Sequence, residues 1–78
     1  MDRIIHVSVT GPCRLFLRFE DGLSGEVDLS GVLKGPVLEP LRDLHFLRQV
    51  TLDEYGVPAW PNGADLAPDA LHAQLARS

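Results

Sequence analysis

The sequence predicts an α+β fold: a small antiparallel sheet of about four to five strands, short helical pieces, and a C-terminal helix packed on it, in a single domain over residues 1–78. Three observations carry that expectation. Apolar and polar side chains alternate through most of residues 3–29, the period of strands with one buried face. Asp21-Gly22 interrupts the alternation with the chemistry of a hairpin turn. Further on, Pro40 forbids a long helix in the middle of the chain, and Leu71 and Leu75, one helical turn apart, place a helix at the end.

Residues 3–9 read as the first strand, with Ile5, Val7 and Val9 on one face and Ile4, His6 and Ser8 on the other, ended by Thr10-Gly11-Pro12. Residues 13–19 group Cys13, Leu15, Leu17 and Phe19 against Arg14, Phe16 and Arg18, and residues 23–29 group Leu23, Gly25, Val27 and Leu29. The hairpin register follows from matching these faces. A two-residue loop would set Leu17 against Glu26 and Glu20 against Leu23, apolar against charged on every rung. A three-residue loop of Glu20-Asp21-Gly22 pairs Phe19 with Leu23, Leu17 with Gly25 and Leu15 with Val27, so that one face is wholly apolar. It also puts Gly22 in the left-handed bulge position, Arg14 opposite Asp28 and Arg18 diagonal to Glu26, each charge pair contributing roughly a few tenths of a kcal/mol.

Residues 30–36 read as a turn or a single helical turn, and Asp43 as the N-cap of a helix over 44–48 that brings Leu44 and Leu47 to the sheet. Alternation returns over 49–53, followed by a turn at Glu54-Tyr55-Gly56 and a strand over 57–60. Two registers are open here. A four-residue loop puts Val50, Leu52, Val57 and Ala59 on one face, and a three-residue loop replaces the last two with Pro58 and Trp60. Pro58 donates no ladder hydrogen bond, which marks its strand as an edge or a bulge.

The stretch from Trp60 to Asp69 organises the rest. Pro61 disfavours helix at Trp60, Asn62-Gly63 tolerates positive φ, Pro68 suits a first helical position and Asp69 the first turn. Ala67 is a poor cap, so Asp65 is expected to supply an oxygen to the amides of the helix start or of the turn. Trp60, the single tryptophan, is expected to close a small core. The closing helix turns Leu71 and Leu75 inward with Ala67 and Ala70 near the same side, and Asp69, His72, Gln74 and Arg77 outward.

Composition sets the classes of partner. With 45% hydrophobic and 23% charged residues the chain is globular rather than disordered, and no apolar run approaches the roughly 20 residues of a membrane span. Its single cysteine, Cys13, fits a reducing compartment and reads as a small buried hydrophobe, and the N-terminus lacks a basic start followed by a long apolar segment; a cytoplasmic protein is expected. The formal net charge of −4 opposes direct nucleic-acid binding and favours a basic protein partner.

Two segments together resemble a known bacterial family: residues 17–30, Leu17-Arg18-Phe19-Glu20-Asp21-Gly22 through Gly25-Glu26-Val27-Asp28-Leu29-Ser30, and Trp60-Pro61-Asn62-Gly63-Ala64-Asp65-Leu66, with Pro40-Leu41-Arg42-Asp43 between them. The chain is similar over nearly its whole length to the family catalogued as domain of unknown function 2442. The resemblance implies a compact α+β fold with an antiparallel sheet, no established activity, and in some relatives a following helix-turn-helix domain. It also implies a neighbouring small protein, with a toxin and antitoxin relationship proposed for such pairs. This sequence departs from the family pattern at Pro58, where a β-former is common, at Ala67, where a charged or capping residue is common, and in lacking a helix-turn-helix.

No spacing of residues calls for catalysis, a metal or a cofactor. His6, His45 and His72 are far apart in sequence and read as solvated, and the inward phase of Cys13 argues against a reactive thiolate. The candidate interaction residues are Phe16 with Arg14 and Arg18, an aromatic between arginines, on the outer sheet face unless a helix covers it. A partner strand or a second copy could also add to a sheet edge. The candidate motif residues are Trp60, Pro61, Asn62, Gly63 and Asp65, as a structural knot or as the rim of a shallow ligand or enzyme site. A third reading is a regulator that reaches DNA only through a partner.

Overall fold

In the computed structural model, which describes residues 2–77, five strands divide between two antiparallel sheets. The larger has the order β1 (Ile4–Gly11), β2 (Arg14–Phe19), β3 (Ser24–Asp28); the smaller pairs β4 (Thr51–Leu52) with β5 (Pro58–Ala59). Between the sheets in sequence lie α1 (Gly35–Leu38), a 3-10 turn (Glu39–Arg42) and α2 (Leu44–Leu47), and α3 (Pro68–Ala76) follows β5. The single sheet expected from the sequence becomes two because the β4–β5 hairpin meets β1 through one backbone bond at its tip, Ile4 N–H to Gly56 O at 3.3 Å, rather than through a ladder.

The β2–β3 hairpin has the three-residue loop that the apolar faces require. Leu15 pairs with Val27 and Leu17 with Gly25, Phe19 N–H donates to Leu23 O at 2.8 Å, and Gly22 sits at φ +94°. Asp21 closes the turn by accepting the Leu23 N–H at 2.9 Å. Arg14 stands opposite Asp28 as expected, but its guanidinium reaches across the diagonal to Glu26 at 3.1 Å.

The first strand keeps its expected faces from His6 to Val9 and departs from them at its start. Ile4 pairs with Phe19 while His6 pairs with Arg18, which leaves Ile5 as an extra residue. That bulge reverses the alternation, so Ile4 is buried on the same face as Val7 and Val9 while Ile5 is 52% exposed. A second irregularity at Thr10 leads into the turn Pro12-Cys13, where Cys13 takes φ +57°. Cys13 is half-buried against the rim of the core, in a turn rather than in the strand assigned to it from sequence.

In the β4–β5 hairpin the three-residue alternative is the one realised. Leu52 faces Pro58 and Asp53 N–H donates to Val57 O at 3.1 Å, so Pro58 and Trp60 turn inward. Asp43 caps α2 through the His45 N–H at 2.9 Å, and Arg42 ties the preceding loop by donating to Leu33 O and Ser30 O, both at 2.9 Å. The core is one cluster in which Leu15, Leu17, Phe19 and Val27 of the sheet meet Leu33, Leu41, Leu47, Trp60, Leu71 and Leu75. Among the described residues no helix is long and apolar enough to cross a membrane.

Candidate functional site

Trp60 to Asp65 form a tie between elements that are remote in sequence. The Trp60 indole N–H donates to Leu47 O at 3.0 Å in a buried setting, fastening β5 to the end of α2. Its backbone N–H donates to Ala64 O at 2.9 Å, and Gly63, at φ +88°, donates back to Trp60 O at 3.0 Å. Asn62 uses both ends of its amide: Oδ1 accepts the Ala64 N–H at 3.0 Å and Nδ2 donates to Val37 O of α1 at 2.9 Å. Asp65 is exposed, and its place is a backbone bridge to Ala59. The start of α3 at Ala67 carries no side-chain cap, so Asp65 does not fill the capping role expected of it; Asn62 supplies the oxygen inside the turn instead. Pro61 is exposed at the turn corner. An open hollow of about 420 Å³ is lined by Pro36, Glu39 and Pro40, not by Trp60 or Asp65.

On the other face of the larger sheet, Phe16 lies outside the core cluster and is half-buried. His6, one strand over, presents its ring to Phe16 at 6.2 Å between centroids and 62° between planes. Arg14 and Arg18 flank Phe16 along β2, and both are exposed. Arg14 is engaged by Glu26, whereas Arg18 lies beside His6 and Ser24. Sequence reasoning located these three residues and read His6 only as solvated; its proximity to Phe16 follows from the β1–β2 register, which pairs His6 with Arg18 and Ser8 with Phe16.

Both candidate sites fall inside a match to a family described as a protein of unknown function, DUF2442, which covers residues 4–76. The chain belongs to that family. No curated protein and no solved structure matches it. In this DUF2442 chain the matched span takes in the hairpin, the Trp60 turn and α3, so the tie described above belongs to the part shared with the family profile.

A third grouping in the DUF2442 chain could not be read from spacing. His72 on α3 is half-buried, its ring edge-on to Phe19 at 4.8 Å, and its Nε2 lies 2.8 Å from Asp21 Oδ2 and 3.7 Å from Asp2 Oδ1. These are the described residues whose ligand-type atoms come within 4.8 Å of one another. The 2.8 Å contact is a charge-assisted hydrogen bond; zinc with ligands at 2.0–2.1 Å would need them opened to roughly 3.3 Å apart. As built, the cluster fastens α3 to the hairpin turn and to the N-terminal segment.

The same turn makes stability depend on acid. The Leu23 amide and then the His72 ring hold the Asp21 carboxyl below its ordinary value of 3.8. A carboxyl depressed in the folded state adds stability that is fully present above its unfolded pKa and is lost as pH falls through the folded one. Asp21→Asn keeps an acceptor for Leu23 and removes the charge. The gap in urea midpoint between wild type and Asp21→Asn should therefore narrow as pH drops below about 3.8. A gap independent of pH would refute the assignment.

Proposed function

We propose that this chain is a non-catalytic, cytoplasmic protein-interaction module, and that its uncovered outer sheet face receives a small basic partner protein. The observation that carries the reading is Phe16: a half-buried aromatic on the face opposite the core, steadied by His6 and flanked by Arg18. Aromatic and arginine side chains of this kind dominate binding energetics when a partner desolvates them. The net charge of −4 supplies long-range attraction to a basic protein, while the mixed face of Arg14, Arg18, Glu26 and Asp28 supplies register. In this role the chain is the acidic, neutralising member of a two-protein pair. A ligand site at Trp60 and Asp65 is less well supported, because the indole N–H and the Asn62 amide are engaged inside the fold.

The test is a tagged pull-down from the native bacterium at moderate salt, read by mass spectrometry, with wild type and Phe16→Ser side by side. Wild type is expected to retain one stoichiometric small basic protein, and Phe16→Ser to bind it roughly 30-fold more weakly, about 2 kcal/mol, with an unchanged thermal midpoint. Equal capture by both proteins would sink the proposal, and so would general unfolding of the variant, since that would make Phe16 a core residue.

A further inference from the structure

His72 is approached by two carboxylates where an ion pair needs one. Its Nε2 lies 2.8 Å from Asp21 Oδ2, a hydrogen bond, and 3.7 Å from Asp2 Oδ1, beyond hydrogen-bond length on the same nitrogen. A ring nitrogen carries at most one hydrogen, so Asp2 is drawn towards Asp21 without a bond of its own. Arg3, the neighbour of Asp2, pairs instead with Glu20 at 3.8 Å. Among the described residues, His72 is the one side chain that forms an ion pair with either carboxylate. The group therefore holds two negative charges against at most one positive, and a further cation is what would balance it.

Two of the three side chains are held from behind. Asp21 Oδ1 accepts the Leu23 N–H at 2.9 Å, which leaves Oδ2 turned to His72. The His72 ring stands edge-on to Phe19, which is buried in the core, so the core sets where Nε2 points. Supports of this kind, one step removed from the ion, are what orient metal ligands. The ligand atoms of Asp2, Asp21 and His72 already lie within 4.8 Å of one another. An ion with tetrahedral bonds of 2.0–2.1 Å spaces its ligands about 3.3 Å apart. From 2.8 Å the His72–Asp21 contact would open by about 0.5 Å, and from 3.7 Å the His72–Asp2 contact would close by about 0.4 Å, within the reach of side-chain rotation.

We propose that Asp2, Asp21 and His72 form a zinc site, with Asp2 Oδ1, Asp21 Oδ2 and His72 Nε2 as its protein ligands and water completing the coordination. One imidazole nitrogen with two carboxylate oxygens suits zinc better than magnesium or calcium, which take oxygen alone. The ion binds the lone pair of Nε2, so it replaces the hydrogen that His72 shares with Asp21. It then ties together the N-terminal segment, the β2–β3 turn and α3, which are remote in sequence, and binding adds to the stability of the fold. The outer face around Phe16 takes no part, so this proposal and the proposed function can each fail alone.

The test is a calorimetric titration of the full chain, free of any histidine tag and stripped with a chelator, with zinc chloride. Wild type is expected to take up one zinc per chain, and zinc at roughly 100 times its Kd to raise the Tm by about 10 °C or more. Asp2→Asn and His72→Gln should each weaken binding at least about tenfold, the smallest loss that disturbing even an outer-shell partner brings. His6→Gln and His45→Gln, which change the other two histidines, should bind as wild type does. No saturable binding by wild type, or binding that leaves the Tm unchanged, overturns the proposal. So does wild-type affinity in Asp2→Asn or His72→Gln, or a loss in His6→Gln or His45→Gln, since either places the ion elsewhere. Should His72→Gln fail to fold, Asp2→Asn decides, because Asp2 lies outside the core.

Discussion

Trp60→Ala is expected to remove most of the folding stability of this chain. Trp60 is 4% exposed and joins the core side of the larger sheet to α2. Truncating a buried tryptophan costs about 3–5 kcal/mol in lost transfer and cavity terms. A domain of this length holds only about 4–12 kcal/mol in total, at roughly 0.05–0.15 kcal/mol per residue. Trp60→Phe separates the two contributions, because it keeps most of the ring and loses the indole donor. Leu47 O would still accept the Val50 N–H at 3.2 Å, so losing the indole bond leaves no orphaned acceptor and costs about 1 kcal/mol plus a smaller packing loss. Urea unfolding followed by far-ultraviolet circular dichroism measures both variants without relying on the indole as a probe. A loss below about 1 kcal/mol for Trp60→Ala would show that the core does not depend on this side chain.

Where the sequence is informative follows from how far apart the deciding residues lie. The β2–β3 register was legible because every constraint is local: alternation on both sides, a turn signal between them, and a glycine at the position that needs positive φ. The phase of β1 was legible from His6 onward but not before it, because one inserted residue at Ile5 exchanges the faces of Ile4 and Ile5 and nothing in Ile4-Ile5-His6 marks it. The choice between Asn62 and Asp65 in the turn also depended on a remote group. An amide can accept from Ala64 and donate to Val37 at once, which a carboxylate cannot, and Val37 lies 25 residues away. His72 illustrates the same limit. Its outward place on α3 suggested a solvated side chain, yet the fold lays α3 against the hairpin turn, where Asp21 and Phe19 meet the ring.

Gly56→Ala is expected to cost more than any other glycine-to-alanine change in the turns, for two reasons that a control can separate. Gly56 has φ +76°, where an L side chain adds about 1–2 kcal/mol of strain. A Cβ there would also stand 2.6 Å from Arg3 Cγ and 2.7 Å from both the N and the O of Ile4. The arginine stem can swing aside, but the Ile4 backbone is held in the β1–β2 ladder, so the hairpin tip must retreat. Retreat breaks the bond from Ile4 N–H to Gly56 O, at a further cost of about 1 kcal/mol. Gly63 is the control: it has φ +88°, and a Cβ added there would meet nothing within 4 Å, so Gly63→Ala carries the strain alone. Chemical denaturation should place Gly56→Ala below Gly63→Ala by about 1 kcal/mol or more, and the Ile4 amide should exchange faster in the first variant alone. Equal losses would mean that the tip of the β4–β5 hairpin is not pressed against β1, and that the two sheets are joined by the shared core without this contact.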